Sequence, residues 1–202
     1  MRTPANCYLI KVDKEKRLGK DKRLVAPIDM GTESGEFAQQ EGIVVGLPAR
    51  FTTKESIPSS AFGKDMTIKD IEHGLQNVRE GDTVFFEYIA TIDDERLVFE
   101  DEDTRTYSVP GHLLIAIKRG ETIEATACKV LLDAKISDEF ISEKLISPWK
   151  KKECGFGKVI YAQNKSLQNK NVVYLEKFAS YIDIDGKRYD VVYEHEVYAE
   201  IN

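Results

Sequence analysis

The sequence predicts an all-β protein built from one unit written twice. Three observations support this. Short β-branched and aromatic runs recur along the whole chain, a single segment has helical spacing, and six segments of the first half reappear in order in the second. The runs are "CYLIKV" (7–12), "GIVVGL" (42–47), "DTVFFEYIA" (82–90) and "HLLIAI" (112–117), then "CKVLL" (128–132), "GKVIYA" (157–162), "NVVYLE" (171–176), "SYIDI" (180–184), "RYDVVY" (188–193) and "VYAEI" (197–201). Glycine, proline or charged residues bound them, the punctuation of short strands in a barrel or sandwich. The exception is "DMTIKDIEHGLQN" (65–77), where Ile68, Ile71 and Leu75 share a helical face and Asp65 or Thr67 caps the start. Gly74 limits this short helix to a turn or two.

The repeat is legible pair by pair. "CYLIKVD" (7–13) matches "CKVLLD" (128–133), and the strand led by Gly42 matches the one led by Gly157. "TVFFEYIAT" (83–91) matches "NVVYLEKFAS" (171–180), "TYSV" (106–109) matches "RYDV" (188–191), and "IAI" (115–117) matches "YAEI" (198–201). Between the first two matches, each half carries an aliphatic pair just ahead of a proline: Leu24–Val25 in "KRLVAP" (22–27) and Leu145–Ile146 in "EKLISP" (143–148). Such a series implies tandem domains at 1–119 and 120–202. The halves differ in a long insert over 46–80, absent from the second half, which runs almost directly from Ala162 to Val172. Inserts of that length at one turn are usually functional or flexible. The join "KRGETIEA" (118–125) has no linker composition.

Composition bounds the function. A chain of 202 residues with 42% hydrophobic and 9% aromatic residues supports genuine cores. A net charge of −6 argues against nucleic acid, whose phosphates need a basic surface. Charge is uneven: "KEKRLGKDKR" (14–23) has six basic and two acidic residues, whereas "DDERLVFEDED" (93–103) has seven acidic and one basic. Both read most simply as solvated loops. Cys7, Cys128 and Cys154 show no CxxC spacing, so reduced thiols and a cytoplasmic protein are expected. No apolar run approaches the ~20 residues of a membrane span, and "MRTPANCYLI" lacks a secretory apolar region.

Chemistry-bearing patterns are missing. His73, His112 and His195 have no partner at ligand spacing, so no metal is expected. "GFGKVI" (155–160) lacks the third glycine of a phosphate loop and leads into a strand. The carboxylates of 93–95 and 100–103 are contiguous rather than facing across a cleft. The sequence therefore predicts no catalytic residue, no cofactor and no enzyme.

"VREGDTVFFEY" (78–88), a glycine–aspartate turn feeding a Val-x-Phe strand, resembles a signature of the bacterial GroES co-chaperonin family. The order of elements around it is similar too: "CYLIKVD", a long polar loop with an aliphatic hook, "GIVVGLP", the Gly-Asp strand, and "HLLIAI". The resemblance covers most of 7–117 well and 128–201 faintly. It implies two tandem, partly open β-barrels, with the short helix in the long insert of the first. It implies a mobile loop at 14–41, a shorter one at 134–156, and an enlarged roof at 46–80. By position, Leu24, Val25 and Ala26 stand where the family has its hydrophobic tripeptide, with Ile28 beside them and Leu145 and Ile146 in the second copy. The sequence departs from the family in the small third hook residue, the proline after it and the missing glycine pair before it. The implied partner is a GroEL-like chaperonin ring with bound nucleotide. The implied homo-oligomer is a ring in which first and last strands of neighbouring subunits pair, engaging Leu9, Ile10, Ile115 and Ile117. Duplication in one chain is similar to the tandem co-chaperonins of chloroplasts.

The hook makes physical sense without the family. Each aliphatic side chain buried in a partner groove contributes roughly 1.5–3 kcal/mol, while ordering loop backbone costs about 1–2 kcal/mol per residue. One hook therefore binds weakly, and several on one assembly bind avidly yet release. Two other readings remain open at this point. "RLVAP" also reads as an edge strand with Leu24 and Val25 in a core. The barrels also read as a structural ring, viral or cellular, that binds no chaperonin.

Overall fold

The computed structural model describes residues 6–14, 40–49, 77–92, 94–134, 154–175 and 179–201. In the first half the strands are β1 (Cys7–Asp13), β2 (Glu41–Gly46), β3 (Thr83–Phe86), β4 (Leu97–Glu100), β5 (Thr104–Pro110), β6 (Leu114–Arg119) and β7 (Thr122–Ala125). In the second they are β8 (Lys129–Asp133), β9 (Cys154–Ala162), β10 (Asn171–Leu175), β11 (Ser180–Ile184), β12 (Lys187–Tyr193) and β13 (Val197–Ile201). The one α-helix among the described residues is α1 (Ile89–Ile92). The protein is mostly β, with two antiparallel sheets of seven and six strands. The described residues divide into two compact units between Thr122 and Ile123, within β7.

The first sheet runs β4-β5-β1-β2-β3-β6-β7 and the second β11-β12-β8-β9-β10-β13. Strand for strand these are the same order, with β7 as an addition to the first. Register agrees as well. Ile10 lies opposite Val44 and Tyr107, and Leu132 lies opposite Val159 and Asp190. The ladder of β1 with β2 slips between Leu9 and Ile10, and that of β8 with β9 slips between Leu131 and Leu132. A second slip falls at Phe85/Phe86 against β6 and at Val173/Tyr174 against β13. A bulge is a fixed local feature of a strand pair, so matching bulges place the two sheets in one-to-one correspondence.

Loops repeat as well. A 3-10 turn joins β5 to β6 at Gly111–Leu113 and β12 to β13 at Glu194–Glu196. The Gly111 N–H donates to the Asn6 carbonyl at 2.8 Å, and the Glu194 N–H donates to the Cys128 carbonyl at 3.0 Å. Asn6 and Cys128 are both left-handed, with φ of +58° and +55°. Cys128 is therefore the counterpart of Asn6, not of Cys7 as the sequence match suggested. Cys7 corresponds to Lys129, and the "TYSV"/"RYDV" match likewise moves by one residue.

Packing follows the alternation of the strands. In the second unit Val130, Leu132, Val159, Ala162, Val172, Tyr174 and Val192 form one core cluster, with Leu167, Ala179 and Val197 against it. In the first, Tyr8, Ile10, Val84, Phe86, Val109 and Leu114 are fully buried. Between β1 and β2, Gly42 leaves no room for a side chain: a Cβ there would sit 2.5 Å from Ile10 Cγ2 and 2.8 Å from the Lys11 carbonyl oxygen. Its counterpart Gly157 has more space, with Leu132 Cβ at 3.2 Å.

Several expectations change. The run 82–90 is strand only to Phe86. Beyond it Ala90 and Thr91 are buried while Tyr88 and Ile89 are exposed, a pattern that a strand's alternation cannot produce and the turn of α1 does. The acidic run 93–103 is not merely loop, since it contains β4 and the tip of the β4–β5 hairpin. The join 118–125 contains β7, reached through a turn at Gly120. The helix expected over 65–77 lies outside the described residues except for Asn77, which is in a turn.

The tight crossing at Gly42 is open to measurement. Gly42→Ala is expected to cost about 1–3 kcal/mol through overpacking, and Gly157→Ala markedly less. Urea denaturation of both variants tests the order, and equal costs would contradict the stated geometry.

Candidate functional site

The hook residues Leu24, Val25, Ala26, Ile28, Leu145 and Ile146 lie outside the described residues. Their places in the topology are nonetheless defined. The first hook lies in the connection from β1 to β2, and the second in the connection from β8 to β9. These are corresponding connections of the repeated unit. Because β1 and β2 are antiparallel neighbours, with Lys11 opposite Ile43, the loop leaves and re-enters the sheet on adjacent strands. Adjacent antiparallel strands are about 5 Å apart, so the sheet itself holds the loop ends together.

The roots are pinned by polar contacts. The Lys14 N–H donates to the Asp103 carbonyl at 2.9 Å, while Lys14 Nζ pairs with Glu100 at 2.8 Å and donates to the Asp101 carbonyl. Arg105 also pairs with Glu100, at 3.1 Å. Asp101 folds the hairpin tip, accepting from the Thr104 N–H at 2.7 Å and the Asp103 N–H at 3.0 Å. The Thr104 contacts hold the exposed Asp101 carboxyl below its ordinary pKa. On the return, the Phe86 N–H donates to the Gln40 carbonyl at 2.9 Å. In the second unit, Asp133 at the end of β8 pairs with Lys187 of the β11–β12 hairpin at 2.8 Å. That contact raises the pKa of Lys187, and its ammonium also lies 5.0 Å from the Tyr189 ring centre.

The glycine–aspartate turn is built by its own chemistry. Gly81 has φ +87° and donates its N–H to the Val44 carbonyl at 2.8 Å; Asn169, with φ +66°, donates likewise to Val159 at 2.8 Å. Only glycine adopts that backbone without cost, and asparagine is among the few alternatives. The Asp82 carboxylate accepts from the Arg79 N–H at 2.7 Å. Arg119 grips it with two bonds, Nε to Oδ1 at 2.8 Å and Nη2 to Oδ2 at 2.6 Å, and also donates to the Asn77 carbonyl. Asp82 is buried. A paired arginine–carboxylate fork is the strongest form of this contact, and here it ties the return of the 46–80 insert to β3 and β6. Lys170, the counterpart of Asp82, pairs instead with Glu200 at 2.8 Å, a residue that stands on Ile117 rather than on Arg119, and both groups are exposed.

The residues assigned to a subunit interface are interior. Leu9, Ile10, Ile115 and Ile117 are between 0% and 6% exposed. Their strands are also flanked on both sides, β1 by β5 and β2, β6 by β3 and β7. The edge strands of the two sheets are β4, β7, β11 and β13. The pair of glycines in "GFGKVI" has a packing role: a Cβ on Gly155 would lie 2.5 Å from Tyr174 Cζ. The Tyr174 hydroxyl there donates to Asp190. Cys7 is half-buried, and burial raises its thiol pKa against the lowering effects of Ser108 and Arg96. Among the described residues, no three His, Cys, Asp or Glu side chains are grouped to hold a metal ion. No helix among them is long and apolar enough to cross a membrane.

Sequence reasoning missed one repeat that was open to inspection. "VPGHLLIA" (109–116) and "VYEHEVYA" (192–199) place Val109 on Val192, His112 on His195 and Ala116 on Ala199, the register the 3-10 turns impose.

No family model matches this chain, and no curated protein matches its sequence.

The buried fork gives a direct expectation. Asp82→Asn keeps the shape and removes the charge facing Arg119, which should cost about 1–3 kcal/mol. Glu200→Gln breaks the exposed pair with Lys170 and should cost under about 1 kcal/mol. Thermal denaturation of the two variants checks the contrast.

Proposed function

We propose that the protein is a co-chaperonin without catalytic activity, made of two GroES-like, partly open barrels. Its hooks dock on a GroEL-like chaperonin ring with bound nucleotide and close the folding chamber. One observation carries this reading: both proline-terminated aliphatic pairs fall in the same connection of a repeated unit, the one that leaves and re-enters the sheet beside its central strand. A pair of apolar residues within a charged segment in each of two corresponding connections is what a repeated docking element requires. The resemblance of 78–88 to the family's glycine–aspartate signature supports it further.

The mechanism follows from the energetics. Leu24 and Val25 enter an apolar groove with Ala26 and Ile28 beside them, and Leu145 and Ile146 do the same from the second unit. Each hook holds weakly. Several hooks on one assembly bind as a set, because after the first docks the rest meet their grooves at high effective concentration. The basic flank of Lys20, Lys22 and Arg23 speeds approach to an acidic rim. A nucleotide-driven change in the groove releases the set together. Self-association of copies in the cytoplasm is part of this proposal, since one chain has two hooks.

Co-sedimentation of the full chain with a bacterial chaperonin, with ATP, with ADP and without nucleotide, tests the reading. The wild type is expected to pellet with the ring only when nucleotide is present. The Leu24→Ser/Val25→Ser variant is expected to bind at least about a hundredfold more weakly, from the loss of two buried aliphatic side chains. Failure of the wild type to co-sediment under any nucleotide condition, with this and a second chaperonin, would turn the reading toward a structural assembly module.

A further inference from the structure

We propose that the basic segment 15–25 docks on its own sheet beside β4, with Leu24 and Val25 against Phe99. Register defines the face. Phe99 lies opposite Thr106, Thr106 opposite Lys11, and Lys11 opposite Ile43. Directly opposed residues share a face, so these four form one row across β4, β5, β1 and β2. The buried Tyr107, next along β5, points the other way. Two residues of the row are exposed apolar side chains, Phe99 at 54% and Ile43 at 50%. Val98, the extra residue where the ladder of β4 slips, is exposed beside Phe99.

In the second unit the same position is covered. Ile182 lies opposite Tyr189 as Phe99 lies opposite Thr106. The pair of Arg188 with Asp183 repeats that of Arg105 with Glu100, which fixes the correspondence. Ile182 is fully buried. The repeated unit therefore covers in one copy an apolar position that it leaves open in the other.

Chain path and charge select the occupant. Segment 15–25 begins at this face, because Lys14 is seated on the β4–β5 tip through Asp103 and Glu100. Ten residues separate Lys14 from Leu24, and at about 3.3 Å per residue they reach Phe99 with slack. The stretch 14–23 has six basic and two acidic residues, and the tip Glu100–Asp103 is four acidic residues in a row. Among the described residues no cation pairs with the exposed Glu102 or Asp103. In the second unit both partners are close to neutral. The stretch 135–144 before its hook has two basic and three acidic residues, and the tip Asp183–Arg188 has two of each. Strong charge thus stands on both partners or on neither, as complementary surfaces require. Such docking withholds the hook until a partner displaces it, a consequence for capping that rests on the chaperonin reading.

Zero-length carbodiimide cross-linking of the full chain, read by peptide mass spectrometry, tests the contact. The wild type is expected to join Lys20 or Lys22 to Glu102 or Asp103 within one chain. Phe99→Ser should cut that yield about tenfold through loss of the apolar contact. Raising the salt from about 50 mM to about 500 mM should cut it as well. Circular dichroism should be unchanged in the variant, since no core side chain is altered. Absence of the cross-link in the wild type would overturn the proposal. So would an equal yield in Phe99→Ser, which would show that the short tether alone brings the groups together. In the co-sedimentation assay Phe99→Ser should bind the chaperonin ring up to about tenfold more tightly, because the hook is no longer withheld. Equal binding by wild type and variant would overturn the withholding role. A wild type that cross-links but never pellets would overturn the chaperonin reading and leave the contact standing.

Discussion

Each sheet depends on a first strand with neighbours on both sides. β1 lies between β5 and β2, and β8 lies between β12 and β9. A central strand has its backbone groups satisfied along both edges, which is what allows Tyr8, Ile10 and Val12, or Val130 and Leu132, to be buried. The same placement fixes the spacing of the loop roots. A partner can be bound between two adjacent strands of an intact ladder without the sheet having to open. The close crossing at Gly42, the slip at Leu9–Ile10 and the carbonyl of Asn6 all belong to that one strand and its partners.

Repetition creates a hazard that the ion pairs counter. Two units with one strand order can exchange strands, because each offers the other's strands a fitting place. Here the charged residues near the ends of corresponding strands differ in sign between the two sheets. Lys14 meets the acidic hairpin of β4 and β5, whereas Asp133 meets Lys187 of the β11–β12 hairpin. Asp82 meets Arg119, whereas Lys170 meets Glu200. Exchange would bring Asp133 to an acidic tip and Lys170 to Arg119. Like-charge contacts of this kind discriminate between partners even where they add little affinity.

Much of the fold was legible because strand signals are local. All ten expected strand segments overlap observed strands, the run 82–90 only as far as Phe86, and "TVFFEYIAT" against "NVVYLEKFAS" is in the true register, with Val84 on Val172. The failures have physical causes. Matching cysteines drew Cys7 onto Cys128, but backbone conformation decides that position: a left-handed residue is needed before the strand, and Asn6 and Cys128 supply it. β4 was hidden because its four residues lie inside an acidic run, whose charge is offset by Lys14 and Arg105 from elsewhere in the sequence. Burial of Leu9 and Ile115 follows from strand order, which no local pattern encodes. The hooks remain known by sequence and by their place between strands.

The pairing of β1 with β5 also sets a schedule for synthesis. Cys7 finds its partner at Pro110 and Asp13 finds its own at Thr104, so β1 waits during synthesis for nearly the whole first half. In the second half, Lys129 pairs with Tyr193 across a much shorter stretch. Long-range pairings of this kind slow folding, since the loop must close before any contact rewards it. A nascent chain of the first half therefore carries an apolar "YLI" strand open on one side until β5 emerges. For a protein proposed to help others fold, the interval of greatest exposure falls while its own first sheet is being made.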